Sequence, residues 1–139
     1  MLLYQISVFI ENKPGRLAEM IDLLAENGVD IRALSVADTA DFGILRLIVN
    51  DPELAIRTLQ EQGVTVTKTQ VIGVKLSDTT GALSKVLALL AKAQIAVEYA
   101  YAFITHSRNE ACVVLRVEDN ERAISTLREN GVALVEAID

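Results

Sequence analysis

The amino-acid sequence predicts an α+β fold of two tandem ferredoxin-like βαββαβ units, each an antiparallel four-stranded sheet with its helices on one face. The first observation is an internal repeat, because Gly15 and Gly81 lie 66 positions apart and the apolar positions after them match at the same spacing. The second is that each predicted helix has one apolar stripe, as a helix that covers one face of a sheet does. We expect two domains, at residues 1–68 and 69–139.

The first copy shows the patterns of strand, helix, strand, strand, helix and strand, in that order. Strand formers alternate from Leu3 to Ile10. Pro14 suits the first turn of the following helix, where its missing N–H is not needed, and Asn27-Gly28 ends that helix. Asp51 is the expected N-cap of the second helix, with Pro52 at its first position. The other predicted elements are strands at Asp30–Asp38, Phe42–Asn50 and Val64–Thr67, and the end of the second helix at Gln62-Gly63.

The second copy repeats this order of elements. In its later half the spacing between matching residues becomes 68, as between Gly63 and Gly131. The two extra residues fall in a polar hairpin around His106, and a surface loop tolerates such an insertion. The predicted elements are strands at Val71–Leu76, Ala96–Ile104, Ala111–Val117 and Val132–Ile138, and helices at Gly81–Ala93 and Asn120–Asn130.

Composition argues against several classes of protein. The net charge of −6 and the pI near 4.8 disfavour nucleic-acid binding, which needs clustered Lys and Arg. No apolar run approaches the roughly 20 residues that cross a bilayer, so no membrane partner is expected. The single cysteine, Cys112, cannot form an internal disulfide, which favours a cytoplasmic location. His106 is the only histidine and has no nearby cysteine, so we expect no metal site and no Ser-His-Asp set. The sequence also has no Gly-x-Gly-x-x-Gly or phosphate-loop motif, so we expect no cofactor, no catalytic residues and no enzyme activity.

The first strand-to-helix turn, Glu11-Asn12-Lys13-Pro14-Gly15-Arg16-Leu17, resembles the ACT domain when it is read within a βαββαβ unit. ACT domains are small regulatory modules that bind amino acids. The turn looks most like the opening of acetolactate synthase regulatory subunits, and Gly28-Val29-Asp30-Ile31 matches the helix-to-strand turn of the family. The resemblance covers the chain as two copies, and the second copy departs from the pattern at Thr80 and Gln94.

This turn has the chemistry to hold an amino acid. It leads onto a helix N-terminus, where free N–H groups and the positive end of the helix dipole favour a carboxylate. Gly15 and Gly81 allow a ligand to approach the backbone closely. Asn12 offers a donor and an acceptor, whereas an ionised Asp78 offers only acceptors, which suit an ammonium group. We expect one site type to dominate, that of the first copy.

The resemblance implies that the ligand lies where two modules meet, between this turn and the second strand of the neighbouring module. The candidate ligand-binding residues are Asn12, Lys13, Pro14, Gly15, Arg16, Leu17 and Ser35 in the first copy, and Asp78, Thr80, Gly81, Ala82, Leu83, Tyr99 and Tyr101 in the second.

Structural roles compete with ligand binding at several of these positions. Asn12 and Asp78 are residue types that also cap helices. The two glycines could serve close packing of helix against sheet, and Arg16 could be a solvated helix residue. Tyr99 and Tyr101 alternate on one strand face, where packing is the alternative to a ligand wall.

The predicted function is that of a non-catalytic regulatory protein, with a free amino acid held between ACT modules and an allosteric output through module packing or assembly. The modules could pair within one chain or across two chains in a symmetric homodimer, and the sequence is compatible with both. The alternative is a regulatory subunit of an amino-acid biosynthetic enzyme such as acetolactate synthase, in which case that enzyme is a partner. Catalysis by the module itself ranks last, because no convergent acid, base and nucleophile are present in the sequence.

Overall fold

The computed structural model describes residues 2–38, 41–104 and 110–136. The predicted turn at residues 39–40 and the hairpin around His106 lie outside the described residues. The strands are β1 (Leu3–Glu11), β2 (Ile31–Asp38), β3 (Phe42–Val49), β4 (Thr65–Ser77), β5 (Val97–Ala102), β6 (Glu110–Val117) and β7 (Ala133–Leu134). The helices are α1 (Arg16–Glu26), α2 (Pro52–Glu61), α3 (Ala82–Lys92) and α4 (Asn120–Glu129).

The chain separates into two compact units. One comprises residues 4–69 and the other residues 70–136 together with residues 2–3, so the boundary falls inside β4. The strands predicted at Val64–Thr67 and Val71–Leu76 are thus one element, because no glycine or proline interrupts the extended chain between them. The α+β fold with two βαββαβ repeats is confirmed.

In the first unit the strand order is β2-β3-β1, continued by the part of β4 that belongs to this unit. The β2–β3 and β1–β3 pairs are antiparallel. Both helices contribute to one buried cluster with the sheet, so they cover the same face of it. The centre of this cluster is formed by Ile6, Val8, Leu45 and Leu47 from the strands and by Met20, Leu24, Ala55 and Leu59 from the helices.

The second unit has the same plan, with the order β7-β4-β6-β5 and antiparallel pairing throughout. The cluster of buried residues again joins both helices to one sheet face, through Ile72, Val74, Val86, Leu90, Leu115 and Leu127 among others. The last predicted strand, Val132–Ile138, is reduced to the two residues of β7, and its residues after 136 lie outside the described range.

The helices that follow β3 and β6 begin in the same way, with an aspartate as the N-cap. Asp51 caps α2 by accepting a hydrogen bond from the Leu54 N–H at 3.1 Å, with Pro52 at the first position, so this prediction is confirmed. Asp119 caps α4 in the same way through the Arg122 N–H. Among the described residues, no helix is both long enough and apolar enough to span a membrane.

Candidate functional site

The first strand-to-helix turn is a type II β-turn. The Arg16 N–H donates to the Lys13 carbonyl at 3.2 Å, and Gly15 between them has φ 82° and ψ −11°. Pro14 occupies the second position of this turn, which its fixed φ suits. The prediction that Pro14 lies in the first turn of the helix is therefore wrong, since α1 begins two residues later at Arg16.

The second copy has the same turn. The Ala82 N–H donates to the Thr79 carbonyl at 3.3 Å, and Gly81 has φ 88° and ψ −4°. Thr80 takes the position of Pro14. A Cβ added to either glycine would meet nothing within 4 Å, so close packing does not explain these glycines. Positive φ does, because a side chain rarely adopts it without strain.

At these turns, no side chain caps the N-terminus of α1 or of α3. The N-cap residues are the two glycines themselves, so the reading of Asn12 and Asp78 as helix caps is wrong. The backbone N–H groups of Leu17 and Ala18, and of Leu83 and Ser84, donate to no described residue. Each turn thus presents two free donors at the positive end of a helix dipole.

A small cavity of about 150 Å³ lies between the first turn and the end of β2. Asn12 joins its two sides, because its Nδ2 donates to Asp38 Oδ1 at 3.1 Å and its backbone N–H donates to the Asp41 carbonyl at 3.4 Å. The cavity is lined by Ile10, Glu11, Asn12, Lys13, Leu17, Val36, Ala37, Asp38 and Gly43. The structure therefore brings three predicted residues, Asn12, Lys13 and Leu17, to one concave surface.

Charges of both signs surround this cavity. Lys13 Nζ lies 2.6 Å from Glu11 Oε2, and the hydrogen bond and charge of Lys13 lower the pKa of the Glu11 carboxyl. Asp38 accepts from the Asn12 amide and is in no ion pair with a described residue. Its carboxylate therefore keeps acceptor sites for a cationic group.

Arg16 begins α1 but does not line the cavity. Its Nη1 lies 3.1 Å from Glu19 Oε2, an ion pair between residues three apart on the helix. Its Nε is shielded from solvent and makes no hydrogen bond in the described part of the chain. Arg16 is thus a helix-surface residue with one polar atom left unsatisfied.

The second turn lacks the corresponding bridge. Asp78 is exposed and has no hydrogen-bond or ion-pair partner among the described residues. The position that matches Asp38 holds Ile104, which is 53% exposed and cannot pair with a carboxylate. Thr80 and Leu83 are exposed as well, and Ala82 is half-buried at the start of α3.

Ser35, Tyr99 and Tyr101 lie on the second strands of their units and are not among the residues that line the cavity. Ser35 stands opposite Arg46 in β3. Because successive strand residues face opposite sides of the sheet, Ser35 lies on the other face of β2 from Val36 and Asp38, which line the cavity. Tyr99 and Tyr101 lie on one face of β5, with ring centroids 6.4 Å apart and planes 20° apart. This is the packing expected of neighbouring aromatic residues on a strand.

Sequence reasoning missed Asp38, Gly43 and Ile10 as parts of the cavity. The signal that could have found them is the order of pairing in the first sheet. Gly43 of β3 stands opposite both Ile10 and Asp38, which places the end of β2 beside the turn after β1. Without the strand order, residues 28 positions apart in sequence give no sign of being neighbours.

The described residues offer neither a metal site nor a thiol activated for nucleophilic attack. No group of three or more His, Cys, Asp and Glu side chains there could hold a metal ion. Cys112 is half-buried in β6, where burial first and the Glu110 carboxylate second raise the pKa of its thiol, against a smaller opposing effect of Lys75. A raised pKa makes a thiol a poorer nucleophile at neutral pH.

A family model described as an ACT domain pair matches residues 1–139. No curated protein matches the chain. The crystal structure of protein BT0572 from Bacteroides thetaiotaomicron is similar, with 39% sequence identity, a TM-score of 0.91, and coverage of 97% of this chain and 92% of that chain.

Two regulatory subunits of aspartate kinase share the fold. The ligand-free one from Thermus thermophilus has 16% identity and a TM-score of 0.64, over 91% of this chain and 90% of that chain. The one from Thermus flavus has 18% identity and a TM-score of 0.62, over 93% of each chain. The two βαββαβ repeats, the two glycine turns and the match over the whole length agree, and the chain belongs to the ACT-domain family as an ACT domain pair.

Proposed function

We propose that this protein is a non-catalytic regulatory protein that binds a free amino acid at the first strand-to-helix turn. The observation that carries the proposal is the cavity between this turn and β2, which has groups of both charge types at one small concave surface. An amino acid is a zwitterion and needs such a pair of groups. Membership of the ACT-domain family, whose modules bind amino acids, supports the same reading.

Groups at the cavity and at the start of α1 match each end of the ligand. The ligand ammonium would pair with the Asp38 carboxylate and hydrogen-bond the Asn12 side-chain oxygen. The ligand carboxylate would accept from the free Leu17 and Ala18 N–H groups at the start of α1, where the helix dipole favours an anion. Gly15 leaves this backbone uncovered, since nothing lies within 4 Å of where its Cβ would be.

The size of the cavity argues that a second ACT module completes the site. At about 150 Å³ it is smaller than the roughly 300–1,000 Å³ of ordinary small-molecule sites. We therefore propose that the ligand is held between ACT modules in a homodimer. Its binding would then favour one packing of the modules over another, which is the regulatory output.

The experiment is a thermal-unfolding screen of the full chain against the twenty amino acids, each tested singly at high concentration. One ligand at 100 times its Kd should add about 2.7 kcal/mol to the free energy of unfolding. The variants are Asp38→Asn, which removes the charge at constant shape, and Asp78→Asn, the matched change at the second turn. We expect the shift to shrink in the first variant and to persist in the second.

Two results would overturn the proposal. One is that no amino acid raises the melting temperature. The other is that Asp38→Asn leaves the ligand-induced shift unchanged, which would place the ligand elsewhere.

A second candidate function is that of a regulatory subunit of an amino-acid biosynthetic enzyme such as acetolactate synthase. The turn motif from Glu11 to Leu17 favours it. Affinity purification of the full chain from its own cells tests it, since an enzyme subunit recovered in fixed stoichiometry would support this function. Recovery of the chain with no enzyme, together with amino-acid binding in isolation, would favour the stand-alone regulator.

A further inference from the structure

A larger groove lies in the second unit, along α3 and beside β7. Its volume of about 700 Å³ is within the range of roughly 300–1,000 Å³ that holds small organic ligands. Part of its wall is apolar and is formed by Val86, Leu89 and Val132. This groove belongs to a different unit from the Asn12 cavity and has a different lining.

Three lysines border the groove, and none of the described residues that line it is acidic. They are Lys75 on β4 and Lys85 and Lys92 on α3. None of the three is in an ion pair with a described residue. Lys85 and Lys92 are two helical turns apart, about 10 Å along the axis, so both lie on the same side of α3. A groove with three uncompensated cations is unusual in a chain whose net charge is −6.

The internal repeat shows which of these features the fold requires. The apolar wall residues Val86 and Leu89 match Met20 and Leu23 of the first copy, so the apolar character is shared. Two of the three charges are reversed, and the third is absent from the first copy. Lys85 and Lys92 correspond to Glu19 and Glu26, and Lys75 corresponds to Phe9.

Because the first copy builds the same elements with acidic or apolar residues at these three positions, the lysines are not needed for the fold. Lys92 lies in the last turn of α3, where a cation also stabilises the helix. That effect does not extend to Lys85 in the first turn or to Lys75 on a strand. The concentration of positive charge beside an apolar wall is thus specific to the second copy.

We propose that this groove binds a small amphipathic organic anion, one that carries an acidic group on an apolar body. The acidic group would lie among the three ammonium groups, where the described lining holds no carboxylate that would compete for them. The apolar body would pack on Val86, Leu89 and Val132, where burial of apolar surface stabilises binding. The site is additional to the proposed amino-acid site and does not depend on it.

The test uses two fluorescent probes of nearly the same shape on the full chain. The probes are 8-anilinonaphthalene-1-sulfonate, an amphipathic anion, and N-phenyl-1-naphthylamine, its neutral counterpart. The variant is Lys85→Gln with Lys92→Gln. The control is Arg57→Gln with Lys68→Gln, which changes the net charge by the same amount on the first unit. All four positions are exposed, and circular dichroism checks that the variants fold.

We expect the sulfonate to bind at one site and to lose at least fivefold in affinity in the lysine variant, with less than a twofold change in the control. The neutral probe should bind weakly, and with the same affinity, to the lysine variant and to the control. Lys85→Glu with Lys92→Glu, which recreates the charges of the first copy, should abolish binding of the sulfonate. The proposal is overturned if the lysine variant and the control weaken sulfonate binding equally, or if the neutral probe binds as tightly as the sulfonate.

Discussion

At the scale of single residues, the two turn glycines are the positions on which the candidate site most depends. Gly15 and Gly81 have positive φ and open space around the missing side chain. The sequence repeat identified both positions, but it could not separate the two reasons for a glycine, backbone conformation and close packing. Only the structure separates the two reasons, because either one is satisfied by the same residue type, glycine.

Replacement of Gly15 tests the role of its backbone conformation. We expect Gly15→Ala to lower the free energy of unfolding by about 1 kcal/mol, because the left-handed backbone conformation is strained for any residue that has a Cβ. Denaturant unfolding measures this. The matched control is Gly43→Ala, where φ is not positive and the added Cβ would lie 3.5 Å from Ile10 Cγ1, an ordinary contact. A loss at Gly43 as large as that at Gly15 would contradict the account.

Cys112 gives a prediction about pH at the same scale. Burial raises the pKa of its thiol, so at pH 8 less thiolate is present in the folded protein than in the unfolded chain. Alkylation by iodoacetamide should therefore be severalfold slower in the folded protein, and its rate should keep rising to a higher pH. Rate–pH profiles with and without urea measure both effects. Coincident profiles would show that the thiol is not desolvated.

At the scale of elements, helix ends explain what the sequence could and could not predict. The N-cap of α2 is local chemistry, so Asp51 followed by Pro52 was sufficient to place it. Pro14 was misplaced because the fixed φ of proline suits both a helix start and a type II turn. The Asn12–Asp38 hydrogen bond joins residues 26 positions apart and depends on strand order, which local patterns do not reveal.

The end of α3 is strained relative to the end of α1. Gln94 has φ 61° at the position where the first copy has Gly28, and the backbone N–H groups of this residue and of the next one donate to matching carbonyls in both copies. Gln94→Gly should therefore raise the free energy of unfolding by about 0.5–1 kcal/mol, the relief of strain less the greater freedom of glycine in the unfolded chain. The reverse change, Gly28→Gln, should lower it by a similar amount. Denaturant midpoints compare the two, and a loss of stability in Gln94→Gly would contradict the prediction.

At the scale of the whole molecule, duplication has kept the scaffold and changed the chemistry. Both copies have the same order of elements, the same glycine turns and the same helix-covered sheet face. They differ at Asn12 and Asp78, at Asp38 and Ile104, and in the charges along α1 and α3. Periodicity and glycines specify a scaffold, so the fold could be predicted. A binding site depends on which residues are neighbours in the tertiary structure, so only part of the candidate site could be predicted.

The proposed domain boundary, between residues 1–68 and 69–139, also belongs to this scale and stays a prediction. It assigns each βαββαβ repeat to one module. The duplication then provides two turns of equal backbone geometry and unequal side chains, and we infer that the first turn binds the ligand.

Amino-acid binding at the first turn is tested most directly by a calorimetric titration of the amino acid that gives the largest thermal shift. We expect Asp38→Asn to weaken the Kd of this amino acid by at least tenfold, about 1.4 kcal/mol, because the ammonium group loses its charged partner. Asp78→Asn, the same change at the second turn, should alter the Kd by less than twofold. The opposite pattern, with Asp78→Asn abolishing binding and Asp38→Asn leaving it intact, would show that the ligand does not bind at the first turn.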